Sequence, residues 1–230
     1  MYAKGNVDLL NYEKSVAIIG TRYPSEFGEK MGIRVSKLLA KRNYSIVSGL
    51  AKGIDACARK GVLDVAGKTI AVLAHGLDKP VYPKENRNLA KEILNSGGLL
   101  ISTYPNGRKL IPQFLAARDE WQSGLSDGII VIETGIQGGT NITIGHALKQ
   151  NRPVGIIDHK QFKNGELSFI KQAQGNLKYI SENKTYPLYT EKSIREFENK
   201  LKESREKIVQ NQLDTNGNKN EAENIQIELL

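Results

Sequence analysis

The segment from Ser45 to Asp55 reads Ser-Ile-Val-Ser-Gly-Leu-Ala-Lys-Gly-Ile-Asp. Its opening residues form a short run rich in Ile and Val, which is typical of a buried strand, and the two glycines that follow permit a tight turn. Asp55 then falls in the first turn of a helix, where a carboxylate is favoured. The segment therefore predicts a strand, a glycine-rich turn and a helix, which together make one unit of an α/β fold.

Similar strand-like runs recur along the chain at the spacing of β–α units. They are Val16–Gly20, Thr69–Ala74, Leu99–Ser102, Gly128–Glu133 and Pro153–Ile157. Helical patterns separate most of them, notably in Ser25–Arg42 and Thr140–Gln150. This alternation predicts a Rossmann-like α/β fold, a doubly wound and mostly parallel sheet with helices on both faces.

The domain organisation that we expect is a core over residues 1–188, followed by a charged segment over residues 189–230. This segment begins as an amphipathic helix with a narrow apolar stripe formed by Ile194, Phe197, Leu201 and Ile208. Such a stripe either docks on the core or serves a partner protein. From about Gln210 the sequence is rich in Asn, Asp, Lys and Glu, which predicts disorder.

Composition excludes several classes of protein. No apolar run reaches the roughly 18 to 20 residues that cross a bilayer, and residues 1–14 have no signal-peptide pattern. The chain has one cysteine, Cys57, and its Cys and His spacings do not resemble a zinc site. We therefore expect a cytoplasmic protein in a reducing compartment, with no membrane contact, no metal and no cofactor.

Charge is unevenly distributed along the chain. Residues 191–230 contain 7 Lys and Arg against 9 Asp and Glu, which leaves 26 against 16 in residues 1–190. The predicted core is thus more basic than the whole chain, whose net charge is +8. This excess favours a polyanionic partner.

Function is expected at the carboxyl ends of the strands, where ligands gather in open α/β sheets. Gly20, Thr21 and Arg22 follow the first predicted strand. The glycine permits close backbone approach, the next helix offers free amides at its start, and Arg22 can chelate phosphate. The alternative is a plain strand-to-helix turn.

Two further strand ends carry glycines. In the turn from Ser48 to Asp55, Gly49 and Gly53 predict an amide nest for an anion, with Lys52 as its counter-charge. The alternative is a tight turn with a capping Asp55 and a solvated Lys52. Gly139 and Thr140 add free amides and a hydroxyl after the fifth predicted strand. Three such turns along one sheet favour a phosphate site.

Aromatic and basic residues follow the third predicted strand. A nucleobase could stack on Tyr82 while Lys84 neutralises a phosphate. His75 precedes them, and we interpret it as a structural loop histidine because it has no partner at ligand or triad spacing. His146 and His159 do not have catalytic spacing either, so a Ser-His-Asp arrangement is not predicted.

An ordered series of motifs resembles the DprA/Smf family, that of DNA-processing protein A, over roughly residues 14–185. The series consists of Gly20–Arg22, Val47–Asp55, Thr69–Leu73, Tyr82–Pro83 with Asn86, and Gly124–Ser126 with Gly139–Thr140. The resemblance implies an extended Rossmann fold that binds single-stranded DNA, forms a homodimer, loads a RecA-like recombinase during transformation and is not an enzyme. Strand-end position and resemblance together predict DNA or phosphate contacts for Gly20, Thr21, Arg22, Ser48, Gly49, Lys52, Gly53, Asp55, Arg59, Tyr82, Lys84, Asn86, Arg118, Gly139 and Thr140.

Departures from the family's pattern concern charge. Arg118, Asp119 and Glu120 stand where the family commonly has Arg-Asn-Arg, and two acids beside a phosphate pocket would repel its ligand. Arg59 stands where the family usually has His, and we expect it to restore part of the lost positive charge.

Two alternative functions remain open. Stand-alone cores without the N-terminal helical domain and the C-terminal winged helix, for which we expect no room here, also resemble components of toxin–antitoxin or defence pairs. The Ile194–Ile208 stripe would then contact a cognate toxin-like protein. The other alternative is a nucleotide-binding enzyme or sensor. Its enzymatic form is disfavoured, because Thr143 stands where related nucleotide hydrolases carry their catalytic acid.

Overall fold

The computed structural model describes the backbone of residues 1–228 and the side chains of residues 1–211, 213 and 214. Within this part, one sheet is formed by β1 (Tyr2–Gly5), β2 (Ser15–Ile19), β3 (Ser45–Ser48), β4 (Thr69–Leu73), β5 (Leu99–Ser102), β6 (Ile129–Val131), β7 (Val154–Ile157) and β8 (Tyr186–Leu188). The α-helices are α1 (Glu26–Lys41), α2 (Ile54–Leu63), α3 (Arg87–Asn95), α4 (Pro112–Gly124), α5 (Thr140–Lys149), α6 (Gln174–Ser181) and α7 (Glu191–Glu228). Short 3-10 helices span Val7–Asn11, Lys84–Asn86, His159–Gln161, Lys163–Phe169 and Lys171–Ala173.

The sheet has the strand order β1-β5-β4-β3-β2-β6-β7-β8. β1 runs antiparallel to β5, and the other neighbouring pairs are parallel. The chain builds outward from β2 through β3, β4 and β5, and then returns to place β6 on the other side of β2. This reversal is the topological switch point of a doubly wound sheet. The predicted Rossmann-like fold is confirmed.

Helices cover both faces of the sheet, because adjacent residues of a strand point to opposite sides. Ile18 packs in one apolar cluster with residues of α1, α2 and α7. Ile19 packs in a second cluster, on the opposite face, which includes Ile144 and Ala147 of α5. Strands buried on both faces need continuous apolar runs. This requirement is why the six inner strands were predictable from Ile and Val content.

The two edge strands were missed by the sequence prediction. All four residues of β1 are exposed, so no apolar run marks them. β8 contains Pro187, which fits an edge strand because proline cannot donate a ladder hydrogen bond there. Edge strands pair on one side only and are less buried, so their sequences lack the apolar runs by which the inner strands were predicted.

The apolar stripe of α7 docks on the core. Ile194, Phe197 and Leu201 are buried. Gly155 in β7 and Gly128, just before β6, make this contact possible, because a Cβ at Gly155 would lie 3.0 Å from the Phe197 ring and one at Gly128 would lie 2.5 Å from Leu201. The docked alternative therefore holds for this part of the stripe, and the packed core continues past residue 188.

The predicted disorder from about Gln210 falls largely on residues 215–230. Their side chains lie outside the described residues, so disorder there stays a prediction. Among the helices that the structure describes, none combines the length and apolarity needed to cross a bilayer.

Arg59 is buried inside the protein, where it stabilises the sheet. Its side chain is fully buried, and its guanidinium donates to the carbonyl oxygens of Ile46 (3.0 Å), Ser48 (2.6 Å), Gly49 (3.1 Å) and Ile70 (2.7 Å), and to the Thr69 hydroxyl. A buried guanidinium has no face left for a phosphate. The predicted phosphate contact of Arg59 is therefore wrong, and its charge instead fixes the ends of β3 and β4.

We predict that Arg59→Met lowers the free energy of unfolding by about 3 kcal/mol or more, because several buried carbonyl groups lose their donor. Urea denaturation followed by circular dichroism measures the change. The matched control is Lys60→Met, which alters the next, exposed residue of α2. Equal midpoints for the two variants would contradict the structural role of Arg59.

Candidate functional site

Two adjoining cavities open at the carboxyl edge of the sheet. The larger one, about 520 Å³, lies at the switch point between β2 and β6, with walls from α4 and the start of α5. The smaller one, about 160 Å³, lies beside the segments that follow β3 and β4. Both cavities are lined by Arg22 and Arg118. The predicted residues that line at least one cavity are Gly20, Thr21, Arg22, Lys52, Asp55, Tyr82, Arg118, Gly139 and Thr140.

An internal carboxylate already occupies the N-terminus of α1. Glu133 follows β6 and is fully buried, and it accepts hydrogen bonds from the Ser25 backbone amide (2.8 Å) and the Ser25 hydroxyl (2.5 Å). Gly28 leaves the room for this contact, since a Cβ there would lie 2.3 Å from a Glu133 carboxylate oxygen. The expectation that the start of α1 offers its amides to a phosphate is therefore corrected.

His159 completes this buried cluster. Its Nε2 atom lies 3.3 Å from Glu133 Oε1, and its Nδ1 atom lies 3.1 Å from the carbonyl oxygen of Ile157. The Ser25 hydroxyl donates to the Glu133 carboxylate and not to the His159 imidazole, so the serine–histidine hydrogen bond of a Ser-His-Asp triad is not formed here. The cluster joins α1 to β6 and β7, and it is not a catalytic triad.

The turn from Ser48 to Asp55 is closed by the protein's own side chains. A Cβ at Gly49 would lie 1.6 Å from Arg118 Nη1, so this glycine makes room for a guanidinium. Gly53 has φ +73° and approaches the Thr21 carbonyl, where a Cβ would lie 2.4 Å away. The Ser48 hydroxyl donates to the Ile18 carbonyl oxygen (2.8 Å). The open amide nest predicted for this turn is therefore corrected.

Asn86 stabilises the same turn by hydrogen bonds to its backbone. Its buried side-chain amide donates to the carbonyl oxygens of Leu50 and Ala51, both at 2.9 Å. Asp55 accepts from the Ala51 amide at 3.3 Å. Asn86 lines neither cavity, so the structure gives it a positioning role for the loop between them.

Arg118 lies buried beneath the cavities between two acids. Its guanidinium is 3.8 Å from Asp55 and 3.2 Å from Asp119. Burial raises the pKa of Asp119 to about 6, against the opposing effect of the Arg118 charge. Asp119 lines the larger cavity, whereas Glu120 is exposed and lines neither. Of the two acids that depart from the family's pattern, only Asp119 therefore faces the site.

The N-terminus of α5 is open. Its first turn contains no acid and its N-cap residue, Gly139, provides no side-chain cap. No atom lies within 4 Å of a Cβ built at Gly138 or Gly139. The amides of Asn141 and Ile142 donate to the carbonyl oxygens of Gly138 and Gly139 (3.2 and 2.9 Å), so within the described part of the chain only the Gly139 and Thr140 amides at this end have no hydrogen bond.

The smaller cavity combines aromatic and basic residues. Tyr82 and Tyr23 are exposed beside it, and His75 is buried with no hydrogen-bond partner for its Nε2 atom in the described residues. Lys52 is exposed and pairs with Glu85 at 2.7 Å. Lys84 is exposed on the neighbouring 3-10 helix. This arrangement suits a stacked base with phosphates along its rim.

Sequence reasoning missed the wall that α4 provides. Leu115 lines both cavities, and Gln122 lines the larger one. The helix has few buried apolar residues, and its place beside the switch point depends on the long crossover from β5 to β6. No signal in the sequence marked these residues as part of a site. Among the residues that the structure describes, no group of three or more His, Cys, Asp and Glu could hold a metal ion.

The family model described as DNA recombination-mediator protein A matches residues 1–198. Protein Smf of a Synechocystis species is 43% identical over 139 residues, which cover 60% of this chain and 34% of that protein. DNA processing protein DprA of Streptococcus pneumoniae is 39% identical over 154 residues, 67% of this chain and 53% of that protein. The DprA protein of Bacillus subtilis is 33% identical over 175 residues, 75% of this chain and 58% of that protein.

Two solved structures show the same fold. The X-ray structure of DprA from Streptococcus pneumoniae aligns with a TM-score of 0.70 and 34% identity, over 84% of this chain and 64% of that one. DNA processing protein A from Helicobacter pylori, whose structure addresses its single-stranded DNA binding mode, aligns with a TM-score of 0.73 and 24% identity, over 91% and 86% of the two chains.

The chain spans from about a third to three fifths of the length of these curated relatives. The family match nevertheless extends from β1 into α7, and so includes all the strands that the structure describes and both cavities. The chain belongs to the DNA recombination-mediator protein A family, the family of the DprA and Smf proteins.

Proposed function

We propose that this chain binds single-stranded DNA along the carboxyl edge of its sheet, without catalysing a reaction on it. The observation that carries the proposal is the position of Arg22. It is exposed, it lies at the junction of the two cavities, and it has no hydrogen bond or ion pair with any described residue. An unpaired guanidinium at a cleft between strand ends is suited to a phosphate oxygen.

The path that we propose for the strand follows the basic rim. Arg22, Lys52 and Tyr82 line the smaller cavity, and Lys84 follows Tyr82 by two residues on the neighbouring 3-10 helix. Successive phosphates would contact these three charges while one base stacks on Tyr82 and enters the cavity. Aromatic stacking of this kind tolerates any base, so we expect affinity without strong sequence preference.

The relatives support this function. The fold is shared with a Helicobacter pylori protein studied for its single-stranded DNA binding. By family membership we further propose that the chain acts in the cytoplasm, protects incoming single strands and loads a RecA-like recombinase. Binding without catalysis is favoured because Thr143 is buried on α5 and supplies no general base, while Asp55 is held beside Arg118.

The first prediction concerns Arg22. We expect Arg22→Ala to weaken binding of a labelled oligo-dT by about tenfold and to lower the salt slope by about one, because one phosphate contact is lost. Lys52→Ala should have a smaller effect, since Lys52 must leave Glu85 before it meets a phosphate. Fluorescence anisotropy over a salt series measures both quantities.

The control for net charge is Lys192→Ala, which removes one exposed positive charge on α7 away from both cavities. If Arg22→Ala retained the affinity and slope of this control, the strand would not pass between the cavities.

A second prediction uses the ionisation of Asp119. Its pKa of about 6 means that the side chain is a carboxylate at pH 8 and mostly neutral at pH 5. Because the charged form repels phosphate, affinity for oligo-dT should rise as the pH falls through 6. Asp119→Asn should bind about fivefold tighter than the wild type at pH 8 and low salt, and should lose this pH dependence.

The matched control is Glu120→Gln, which neutralises the neighbouring exposed acid. We expect this variant to keep the pH dependence of the wild type. A parallel pH response in the Asp119→Asn variant and the wild type would show that another group carries it.

The third prediction is self-association, which family membership motivates. Light scattering at micromolar concentration should give twice the 25.5 kDa mass of one chain. A strictly monomeric species would contradict a recombinase-loading role of this type and would favour a different partner protein.

A further inference from the structure

A third cavity, about 550 Å³ in volume, lies between α1 and the start of α7, and we call it the α1–α7 groove. It shares no described residue with the two cavities at the carboxyl edge of the sheet. Most of its lining is apolar, and Met31, Leu38 and Phe162 are only half-buried there. An apolar surface with charged residues around it is typical of a protein-binding site.

Basic side chains from one face of α1 surround this groove. The four that line it are Lys30, Arg34, Lys37 and Lys41. Lys30 and Lys37 pair with acids of the chain, whereas Arg34 and Lys41 have no hydrogen bond or ion pair with any described residue. Among the described lining residues the one acid is Glu191, and two arginines already pair with it. The groove therefore favours an acidic and apolar occupant.

A segment of this composition is present in the same sequence. Residues 221–230 read Glu-Ala-Glu-Asn-Ile-Gln-Ile-Glu-Leu-Leu, with three acids, four Ile and Leu residues and no base. Ala222, Ile225 and Leu229 have the three- and four-residue spacing of an apolar helix face. The segment thus combines an apolar stripe with negative charge, which is the complement of the groove.

The spacing of the charges also matches. Glu221 and Glu228 are seven residues apart, and so are the two unpaired cations of the groove, Arg34 and Lys41. Seven residues of helix correspond to about two turns and about 10 Å along the axis. Both acids of a helical segment can therefore meet an unpaired cation at the same time.

The segment cannot reach the groove of its own chain. α7 is a continuous helix from Glu191 to Glu228, and the groove lies beside Ile194, in its first turn. At about 1.5 Å per residue, Ile225 lies about 45 Å further along the helix axis. The groove that the segment can reach is therefore that of a second copy.

We propose that residues 221–230 of one copy dock in the α1–α7 groove of a second copy. Reciprocal docking makes the two α7 helices antiparallel, with the two-fold axis midway between Ile194 and Ile225, beside Val209. Val209 and Leu213, one turn apart, are 40% and 61% exposed, so apolar surface is present where the helices cross. The contact goes beyond the proposed function, because neither DNA binding at the carboxyl edge nor a dimer formed elsewhere requires it.

Charge reversal in the full chain tests this contact. Sedimentation equilibrium gives the dissociation constant of the wild type, of Arg34→Glu with Lys41→Glu, and of Glu221→Lys with Glu228→Lys. Each double variant should associate at least about tenfold more weakly, because like charges then face each other. An equimolar mixture of the two variants should associate more tightly than either variant alone, because opposite charges meet again in both grooves.

The control for net charge is Lys4→Glu with Lys91→Glu, two exposed lysines that line none of the three cavities. This variant should associate as the wild type does. A wild type that is monomeric at micromolar concentration, or a dissociation constant that neither reversal changes, would overturn the proposal. Oligo-dT affinity is measured on the same proteins. Its absence in a wild type that associates through the groove refutes only the proposed function.

Cross-linking distinguishes a second copy from the same chain. Lys41→Cys and Glu221→Cys proteins are mixed and treated with a short bismaleimide, and the native Cys57 is buried. A covalent dimer should form in the mixture and not with either protein alone, because identical positions lie at opposite ends of the pair. A mixture without cross-linked dimer would overturn the contact. A chain with both substitutions that cross-links only within itself would overturn the exchange between copies.

Discussion

The hydrogen bonds that Ser25 donates to Glu133 close the N-terminus of α1 with the protein's own carboxylate. The helices α1 to α5 each follow a parallel strand and so begin on the carboxyl side of the sheet, where a helix N-terminus could in principle hold a phosphate. Glu133 fills that position on α1, and Asp55 lies in the first turn of α2. In the described part of the chain, α3, α4 and α5 begin without an acid in the first turn, and the starts of α4 and α5 line the larger cavity. The protein thus places its own carboxylates at the starts of α1 and α2.

The inner sheet could be predicted from sequence because burial on both faces requires runs of Ile and Val, as in β2 and β3. The edges could not. β1 has no buried residue, and β8 is shaped by its pairing with β7 and by the helix that follows it. The position of α4 could not be predicted from the local sequence pattern either. It depends on the long crossover between β5 and β6, and few of the helix's residues are buried.

For the site, residues that line the cavities were predicted more successfully than residues that pack against other parts of the protein. Arg22, Tyr82 and Gly139 lie at the cavities as expected. Gly49 and Arg59 instead contact the protein's own groups, although their residue types suggested contacts with a ligand. The sequence does not distinguish a glycine that exposes its backbone amide from a glycine that makes room for a guanidinium. Likewise, an arginine that binds phosphate differs from one that binds backbone carbonyls only in what surrounds it.

The docking of α7 on Gly128 and Gly155 defines the smallest piece of this chain that can be handled as a folded unit. Phe197 and Leu201 fill the space that these two glycines leave on the sheet. A fragment cut after β8 would expose that groove to water as an apolar strip across two adjacent strands, which is a surface prone to aggregation. Fusion partners and affinity tags therefore belong beyond Ser204, the last buried residue along this helix in the described part of the chain.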